Sequence, residues 1–326
     1  VNVPIVAIAL VAGAILIPKS RDENPHSIDY VGFILSVVAI GSLVFTVIES
    51  PMWGWGSSTS YLGFAISAVA LVAFVRFESH VEHPLLDVRV FRNARVSAAA
   101  GSIAVAFFCL FGFTFLVTQY FQFVRGYNTL SSGVHTIPFA IGAGVTAPFA
   151  ARAALKWGTK RVVALGLLNM SIGLFIASSM DAHSSYFGHV IIGMLFMANG
   201  LSLVTSPSTD AIMGSLNRDK AGVGSAINDT GREVGGTLGV AVVGSVFVSL
   251  YSPKILEKFE QIPGLIANLP KGVLKMSEES VGAAYQVAQQ APVGIRDQVE
   301  AAVSASFLHG FSMACVVASI AALVGS

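Results

Sequence analysis

Residues 97–119 read SAAAGSIAVAFFCLFGFTFLVTQ, a run without a single charged side chain. At 1.5 Å per residue, a helix needs roughly 20 apolar residues to cross the hydrocarbon core of a bilayer. The run therefore predicts a transmembrane helix, and windows of about 19 residues along the rest of the chain predict eight more. All are predicted to be helices, because open strands leave backbone groups unsatisfied in lipid. The predicted bounds are 1–17, 28–49, 60–76, 97–119, 132–151, 161–180, 186–211, 222–250 and 304–326.

The composition also indicates a chain that lies mostly in lipid. Of its 326 residues, 54% are hydrophobic and only 11% are charged, and the mean hydropathy is +0.73. Soluble proteins contain about 25% charged residues, so a soluble globular domain is excluded and the lipid bilayer is the expected partner. The formal net charge of +1 argues against nucleic acid as a partner. Cys109 and Cys315 lie in apolar runs, where we interpret them as small hydrophobic residues.

The sequence contains no motif of hydrolytic or metal chemistry. Walker, HExxH and GxSxG patterns are absent, and so is any pair of cysteines and histidines at metal-binding spacing. We therefore expect no enzyme activity, no catalytic residue and no metal ion.

Basic residues are distributed unequally between the two sides of the predicted spans. Twelve lie in connections on one side, whereas the short loops of the other side contain Arg125. Lys and Arg in short loops mark the cytoplasmic side, so we predict a multi-pass protein of the plasma (inner) membrane with residue 1 outside and the C-terminus in the cytoplasm. The twelve are Lys19, Arg21, Arg76, Arg89, Arg92, Arg95, Arg152, Lys156, Lys160, Arg161, Arg218 and Lys220.

Two further features concern the organisation of the chain. It starts and ends inside apolar runs without a signal-peptide pattern, so we expect a piece of a longer membrane protein. An outer connection at about 252–303 mixes charged and apolar residues, which predicts one or two amphipathic helices broken at Pro263, Pro270 and Pro292. A solvated linker on the membrane surface is the alternative.

The eighth predicted span contains the charged cluster Asp229, Arg232 and Glu233. Helical spacing places the three side chains on neighbouring positions of one face. Ionisable residues inside a membrane are candidates for function, here a proton-responsive carboxylate beside an arginine. The alternative is a structural ion pair between Asp229 and Arg232 in the inner leaflet.

The same span carries Gly231, Gly235 and Gly239, which repeat every four residues. Such stripes of small residues let helix backbones approach closely in lipid, so we predict a helix-packing face. In a transporter that face can also move.

The run at 97–119 is rich in aromatic residues, and helical spacing places Phe108, Phe111, Phe115 and Gln119 along one face. Aromatic and amide groups that line a cavity suit large apolar or cationic ligands. We therefore predict these residues, with Asn199 of the seventh span, as candidates for a substrate cavity. The alternatives are that the phenylalanines face lipid and that Asn199 hydrogen-bonds a neighbouring helix.

Several stretches, taken in order, resemble one transporter family. They are NVPI at 2–5, HPLLDVRVFRN at 83–93, QYFQ at 119–122, WGTKR at 157–161 and AGVGSAIN at 221–228, followed by Arg232, Gly235, Gly236 and Gly239. Together they resemble the C-terminal two-thirds of the fourteen-helix drug:proton antiporters of the major facilitator superfamily, the EmrB/QacA type.

The resemblance implies an all-α, polytopic membrane protein in three parts. Residues 1–17 would be the last helix of the N-terminal bundle, residues 18–96 an inserted helix pair with its cytoplasmic connection, and residues 97–326 the six-helix C-terminal bundle. It further implies proton-coupled efflux of hydrophobic or amphipathic drugs by alternating access, with no cofactor besides the proton gradient. The implied partners are a small-molecule substrate and the missing N-terminal bundle. Alternatives are a dedicated exporter of an endogenous metabolite or lipid, and a membrane sensor or scaffold.

Overall fold

The computed structural model describes residues 2–16, 29–82, 84–216 and 221–326, and these are helical apart from short connections, with no strand among them. Short 3-10 or π turns occupy Val88–Arg92, Tyr120–Val124 and Tyr186–Val190. The helices are α1 Asn2–Leu16, α2 Tyr30–Trp53, α3 Ser58–Glu78, α4 Ala94–Gln119, α5 Thr129–His135, α6 Ile137–Trp157, α7 Thr159–Ser178, α8 Ile191–Gly214, α9 Ala221–Glu260, α10 Leu265–Asn268, α11 Lys271–Glu279, α12 Val281–Gln290 and α13 Val293–Gly325.

Eight stretches of the described chain are long and apolar enough to cross a membrane, and they correspond to eight of the nine predicted spans. The all-α membrane fold is thereby confirmed. The first predicted span is represented by α1, whose 15 residues extend about 22 Å, less than the thickness of a bilayer core. Residues 1 and 17–28, His83 and residues 217–220, which include four of the twelve basic residues of the predicted inner side, lie outside the described part.

Two helices extend well beyond their predicted spans. α9 continues past Pro253 to Glu260, and α13 begins at Val293 rather than at 304. The reason is packing, because Ile255, Phe259 and Val299 continue the apolar faces of these helices and are completely buried. The predicted connection at 252–303 therefore shrinks to residues 261–292.

The shortened connection folds back onto the bundle as α10, α11 and α12. Its apolar residues join the main core, and the ring of Tyr285 lies 5.8 Å from that of Phe123, between centroids. The predicted breaks at Pro263, Pro270 and Pro292 are where helices end or begin, and a further break at Ser280 was not predicted. The interpretation as amphipathic helices is confirmed in kind, with three helices where one or two were predicted, and that of a solvated linker is wrong. We call these three helices the cap.

The core of the bundle lies between α4, α7, α8, α9 and α13. Tyr120, Met170 and Phe307 are among its completely buried side chains. We call the end of the bundle where α4 finishes, which also carries the cap, the outer end, and the end where α4 begins the inner end. The names follow the predicted topology.

Helices α2 and α3 form a hairpin beside this core. The hydroxyls of Ser50 and Ser60 lie 3.1 Å apart, and the Ser67 hydroxyl donates to the carbonyl oxygen of Ala39 at 2.7 Å. The hairpin packs on α9 through α2, and the Trp55 indole N–H donates to the Ser249 hydroxyl at 3.4 Å. These contacts place the hairpin beside α9.

Candidate functional site

An open cleft of about 610 Å³ lies between α4, α9 and the cap. Its walls carry apolar and aromatic side chains together with hydroxyl, amide and carboxylate groups. It is lined by Phe111, Thr114, Phe115, Thr118, Gln119, Val240, Phe247, Val248, Glu279, Ser280 and Val281. Such a mixture can hold a bulky apolar or cationic molecule.

The helical repeat of α4 positions one wall of the cleft. Phe111, Phe115 and Gln119 follow one another at intervals of four residues and therefore lie on one face. The side chains of Phe111 and Phe115 are 46% and 40% exposed, so their rings are available to a ligand. The Thr118 hydroxyl donates to the carbonyl oxygen of Thr114 at 2.8 Å, which satisfies its polar group within the helix.

Three of the five predicted cavity residues are therefore together in one cleft, and two lie elsewhere. Phe108 packs at the contact between α4 and α9, where its backbone carbonyl faces Gly239. Asn199 of α8 accepts a hydrogen bond from the Thr146 hydroxyl of α6 at 2.6 Å. The structure thus gives Asn199 the helix-linking contact of the alternative interpretation.

Sequence reasoning missed the part of the cleft that the cap contributes. Glu279 ends α11 and places a carboxylate at the rim of the cleft, with the Lys275 ammonium 3.8 Å away and both side chains exposed. No local pattern connects Glu279 with Gln119, because about 160 residues separate them and only the folded cap brings them together.

A second, smaller cavity of about 400 Å³ shares Thr114 and Thr118 with the cleft. Gln122, three residues beyond Gln119, lines this cavity. The Ser132 hydroxyl is buried there without a hydrogen-bond partner. The two threonines therefore form a polar ridge between two ligand-sized spaces.

The outer end of the bundle contains a polar corner, a group of hydrogen bonds around Arg125 and Asp181. The Arg125 guanidinium donates to the carbonyl oxygens of Ala182 and Ser184 at 3.0 and 2.9 Å. The backbone N–H of His183 donates to the Asp181 carboxylate, and this bond holds the pKa of Asp181 below its usual value. This corner ties the connection after α4 to the connection between α7 and α8.

The charged cluster on α9 does not form the predicted ion pair. Among the described residues, Arg232 has no carboxylate within salt-bridge distance, and Asp229 and Glu233 are both exposed. The guanidinium carbon of Arg232 lies 5.0 Å from the centre of the Phe107 ring, and the Nε atom is buried without a partner. The ring of Phe107 on α4 thus takes the place of a carboxylate as the partner of Arg232. The spacing of residues along α9 could not predict this, because it does not show which side chain α4 presents there.

The glycine stripe of α9 packs directly on α4. A methyl group at Gly235 would overlap with the backbone of Ala104, and one at Gly239 with that of Phe108. At Gly231 the nearest atom, the Ala100 carbonyl oxygen, would be 3.4 Å away, an ordinary contact. The close approach therefore begins after Gly231.

The described residues contain no group of three or more His, Cys, Asp or Glu side chains that could hold a metal ion. Cys109 and Cys315 are free and buried. The groups that the cleft presents are aromatic rings, hydroxyls, an amide and a carboxylate.

Comparison with known proteins gives a family match and relatives of related function. The model of the Major Facilitator Superfamily matches residues 1–240. The multidrug resistance protein Stp of Mycobacterium tuberculosis is 30% identical over 261 residues, which are 80% of this chain and 48% of Stp. The tetracenomycin C resistance and export protein of Streptomyces glaucescens is 31% identical over 333 residues, covering 100% of this chain and 60% of the relative.

A third relative, the multidrug efflux pump LfrA of Mycolicibacterium smegmatis, is 27% identical over 326 residues, covering 100% of this chain and 63% of LfrA. The chain thus spans about half to three-fifths of the length of the curated relatives that it matches.

Proposed function

Because the chain belongs to the Major Facilitator Superfamily, a family of transporters, we propose that this protein exports hydrophobic or amphipathic drugs, including antibiotics. The cleft between α4, α9 and the cap would bind the exported compound. Three phenylalanine rings would contact its apolar part, and Gln119 and Glu279 its polar or cationic part. The observation that carries the proposal is the convergence of these aromatic and polar groups in one accessible space.

We further propose that transport follows alternating access and is driven by the proton gradient across the plasma membrane. In the EmrB/QacA type that the sequence resembles, an N-terminal bundle would supply the opposite wall of the cavity. Residues 1–17 would end that bundle, residues 18–96 would be the inserted pair, and residues 97–326 the C-terminal bundle. The names of the relatives Stp and LfrA, both multidrug proteins, support export of more than one compound.

The test is efflux by cells that lack their own pumps and express the full-length protein. We expect Phe115→Ala to reduce efflux of lipophilic cations roughly two- to tenfold, as expected for the loss of about 0.5 to 1.4 kcal/mol of ring contact. Phe175→Ala is the matched control, because Phe175 of α7 is 65% exposed and does not line the cleft.

A panel that contains lipophilic cations, neutral antibiotics and lipid-like metabolites separates a drug exporter from a dedicated exporter. Equal losses in Phe115→Ala and Phe175→Ala would show that the cleft is not the binding site. Absence of efflux for every compound would remove the export proposal itself.

A further inference from the structure

Two carboxylic acids meet at the inner end of the hairpin formed by α2 and α3. Asp29 caps the N-terminus of α2, and its Oδ1 atom accepts a hydrogen bond from the backbone N–H of Gly32 at 2.8 Å. Glu78 is the last residue of α3 and is completely buried. Its Oε2 atom accepts a hydrogen bond from the backbone N–H of Leu86 at 3.1 Å.

The remaining oxygen of each carboxyl group points into the same small space. Oδ2 of Asp29 and Oε1 of Glu78 are both buried, and neither has a hydrogen-bond partner. A methyl group at Gly32 would overlap with both atoms, so the two oxygens lie close to one point next to this glycine. Only a residue without a side chain leaves room for this arrangement.

Two ionised carboxylates in this arrangement would be unfavourable. Each facing oxygen would be buried without a donor, and the two like charges would repel each other. One proton between the oxygens removes both problems, since it creates a charge-assisted O–H···O⁻ hydrogen bond. The single negative charge that remains lies at the N-terminus of α2, where helix N–H groups stabilise it.

Among the described residues, neighbouring charges do not supply a substitute for this proton. On the connection after α3, the Arg89 guanidinium pairs with Asp87 at 2.9 Å. His80 directs Nδ1 to the carbonyl oxygen of Arg76 at 2.7 Å. On α9, which packs against α2, the side chain of Arg232 lies over an aromatic ring. Of the titratable groups in the described part of the chain, Asp29 is the one that acts on the Glu78 carboxyl.

We propose that Asp29 and Glu78 form a proton-binding site in which one proton is shared between Oδ2 of Asp29 and Oε1 of Glu78. The site lies outside the cleft and does not depend on which compound the protein exports. It adds a titratable element to the hairpin, a part of the fold to which the proposed transport assigns no ligand.

The site also connects the hairpin with the C-terminal bundle. Glu78 accepts a hydrogen bond from the backbone N–H of Leu86. Leu86 in turn packs with Val90 on a buried cluster at the inner ends of α4, α8 and α9. The members of that cluster are Val96, Ala99, Ala100, Ile103, Ile212 and Ile227. Loss of the proton would push the two carboxylates apart and weaken the hold of Glu78 on this connection.

Two amide variants reproduce the protonated site permanently. In Glu78→Gln the amide N–H₂ group can donate to Oδ2 of Asp29 while its oxygen still accepts from Leu86. Asp29→Asn places the hydrogen-bond donor on the other partner, and asparagine is also a favourable residue at the N-cap position of a helix. Glu257→Gln is the control, because Glu257 is an exposed carboxylate that pairs with Lys254 in the outer part of α9.

The experiment measures the infrared band of protonated carboxyl groups in the full-length protein while the pH is raised. As the pH rises, the wild type and Glu257→Gln should each lose a band that corresponds to about one protonated carboxyl group per chain. Both amide variants should lack this band from the start. Thermal stability is the second readout. The folded chain holds a proton that separate carboxyls in the unfolded chain release at lower pH, so the contribution of this site to wild-type stability is fully present in acid and is lost as the site deprotonates.

Over the same pH range, the stability of Glu78→Gln and Asp29→Asn should change by much less. If one variant fails to fold, the other variant and the infrared band of the wild type still decide whether the site binds a proton. The proposal is overturned if the wild type has no titrating band that the variants lack, or if the variants follow the wild-type stability profile. It is also overturned if sodium ions at fixed pH stabilise the wild type but not Glu78→Gln, since the ligand would then be a metal cation.

Discussion

Arg232 shows how a half-buried cation is stabilised without a carboxylate among the described residues. Its planar guanidinium lies over the ring of Phe107, and the negative face of an aromatic ring attracts a cation. Arginine stacks on rings better than lysine does, because its charge is spread over a flat group. The stability of this part of α9 should therefore depend on Phe107 rather than on Asp229.

We predict that Arg232→Ala and Phe107→Leu each lower the free energy of unfolding by about 0.5 to 2 kcal/mol, and that the double variant loses less than the sum. Asp229→Asn should stay within about 0.5 kcal/mol of the wild type, because its side chain is exposed. Thermal unfolding of the purified protein in detergent measures these changes. A loss in Asp229→Asn as large as that in Arg232→Ala would restore the ion-pair interpretation.

Glu233 stays a candidate for proton coupling, because the structure gives its exposed side chain no ion pair among the described residues. We expect Glu233→Gln to fold and to keep the normal dependence of efflux on the proton gradient. Efflux assays with and without a protonophore measure this. A folded variant that transports independently of the gradient would identify Glu233 as a coupling group.

At the scale of helices, the contact between α4 and α9 depends on backbone approach. The glycines of α9 lie against a row on α4 with the same four-residue interval, made of Ala100, Ala104 and Phe108. A similar approach joins α7 and α8, where Gly166 faces the carbonyl oxygen of Gly200 and Gly173 that of Gly193. Without a hydrophobic driving force between helices in lipid, such close packing is a main source of their association.

Two neighbouring positions of the stripe on α9 should respond differently to one added methyl group. We expect Gly235→Ala to lower the free energy of unfolding by about 1 to 3 kcal/mol, because the methyl overlaps with rigid backbone at Ala104. Gly231→Ala is the matched control and should be tolerated, since its nearest atom is at an ordinary contact distance. Unfolding and transport are measured for both variants. Equal behaviour would mean that the stripe does not contact α4 in the membrane.

Patterns that repeat within one helix could be predicted from the sequence, and contacts between distant helices could not. Eight spans and the spacing of Gly231, Gly235 and Gly239 follow from local hydropathy and helical periodicity. The partner of Arg232 and the place of Glu279 depend on which faces meet, which no window of the sequence contains. The sequence did not predict the end of α9 or the start of α13 for the same reason, because tertiary packing extends both helices beyond their predicted membrane spans.

At the scale of the whole molecule, the described surface is strongly apolar around the hairpin and α1. Large hydrophobic side chains such as Ile8, Ile34 and Val69 are more than half exposed. On a multi-pass membrane protein, such faces contact lipid or other transmembrane helices. The direction in which the bundle crosses the membrane then depends on the charges at its two ends.

The predicted direction can be tested with four cysteine variants of matched exposure. Gly56→Cys and Gln261→Cys lie at the outer end, and Arg92→Cys and Lys156→Cys at the inner end; all four positions are exposed. Native Cys109 and Cys315 are buried and free, so they should contribute little background. Because basic residues in short loops remain in the cytoplasm, an impermeant thiol reagent should label the first pair on intact cells and the second pair only after permeabilisation. Labelling of Arg92→Cys and Lys156→Cys on intact cells would reverse the topology and place the cleft mouth beside Glu279 in the cytoplasm.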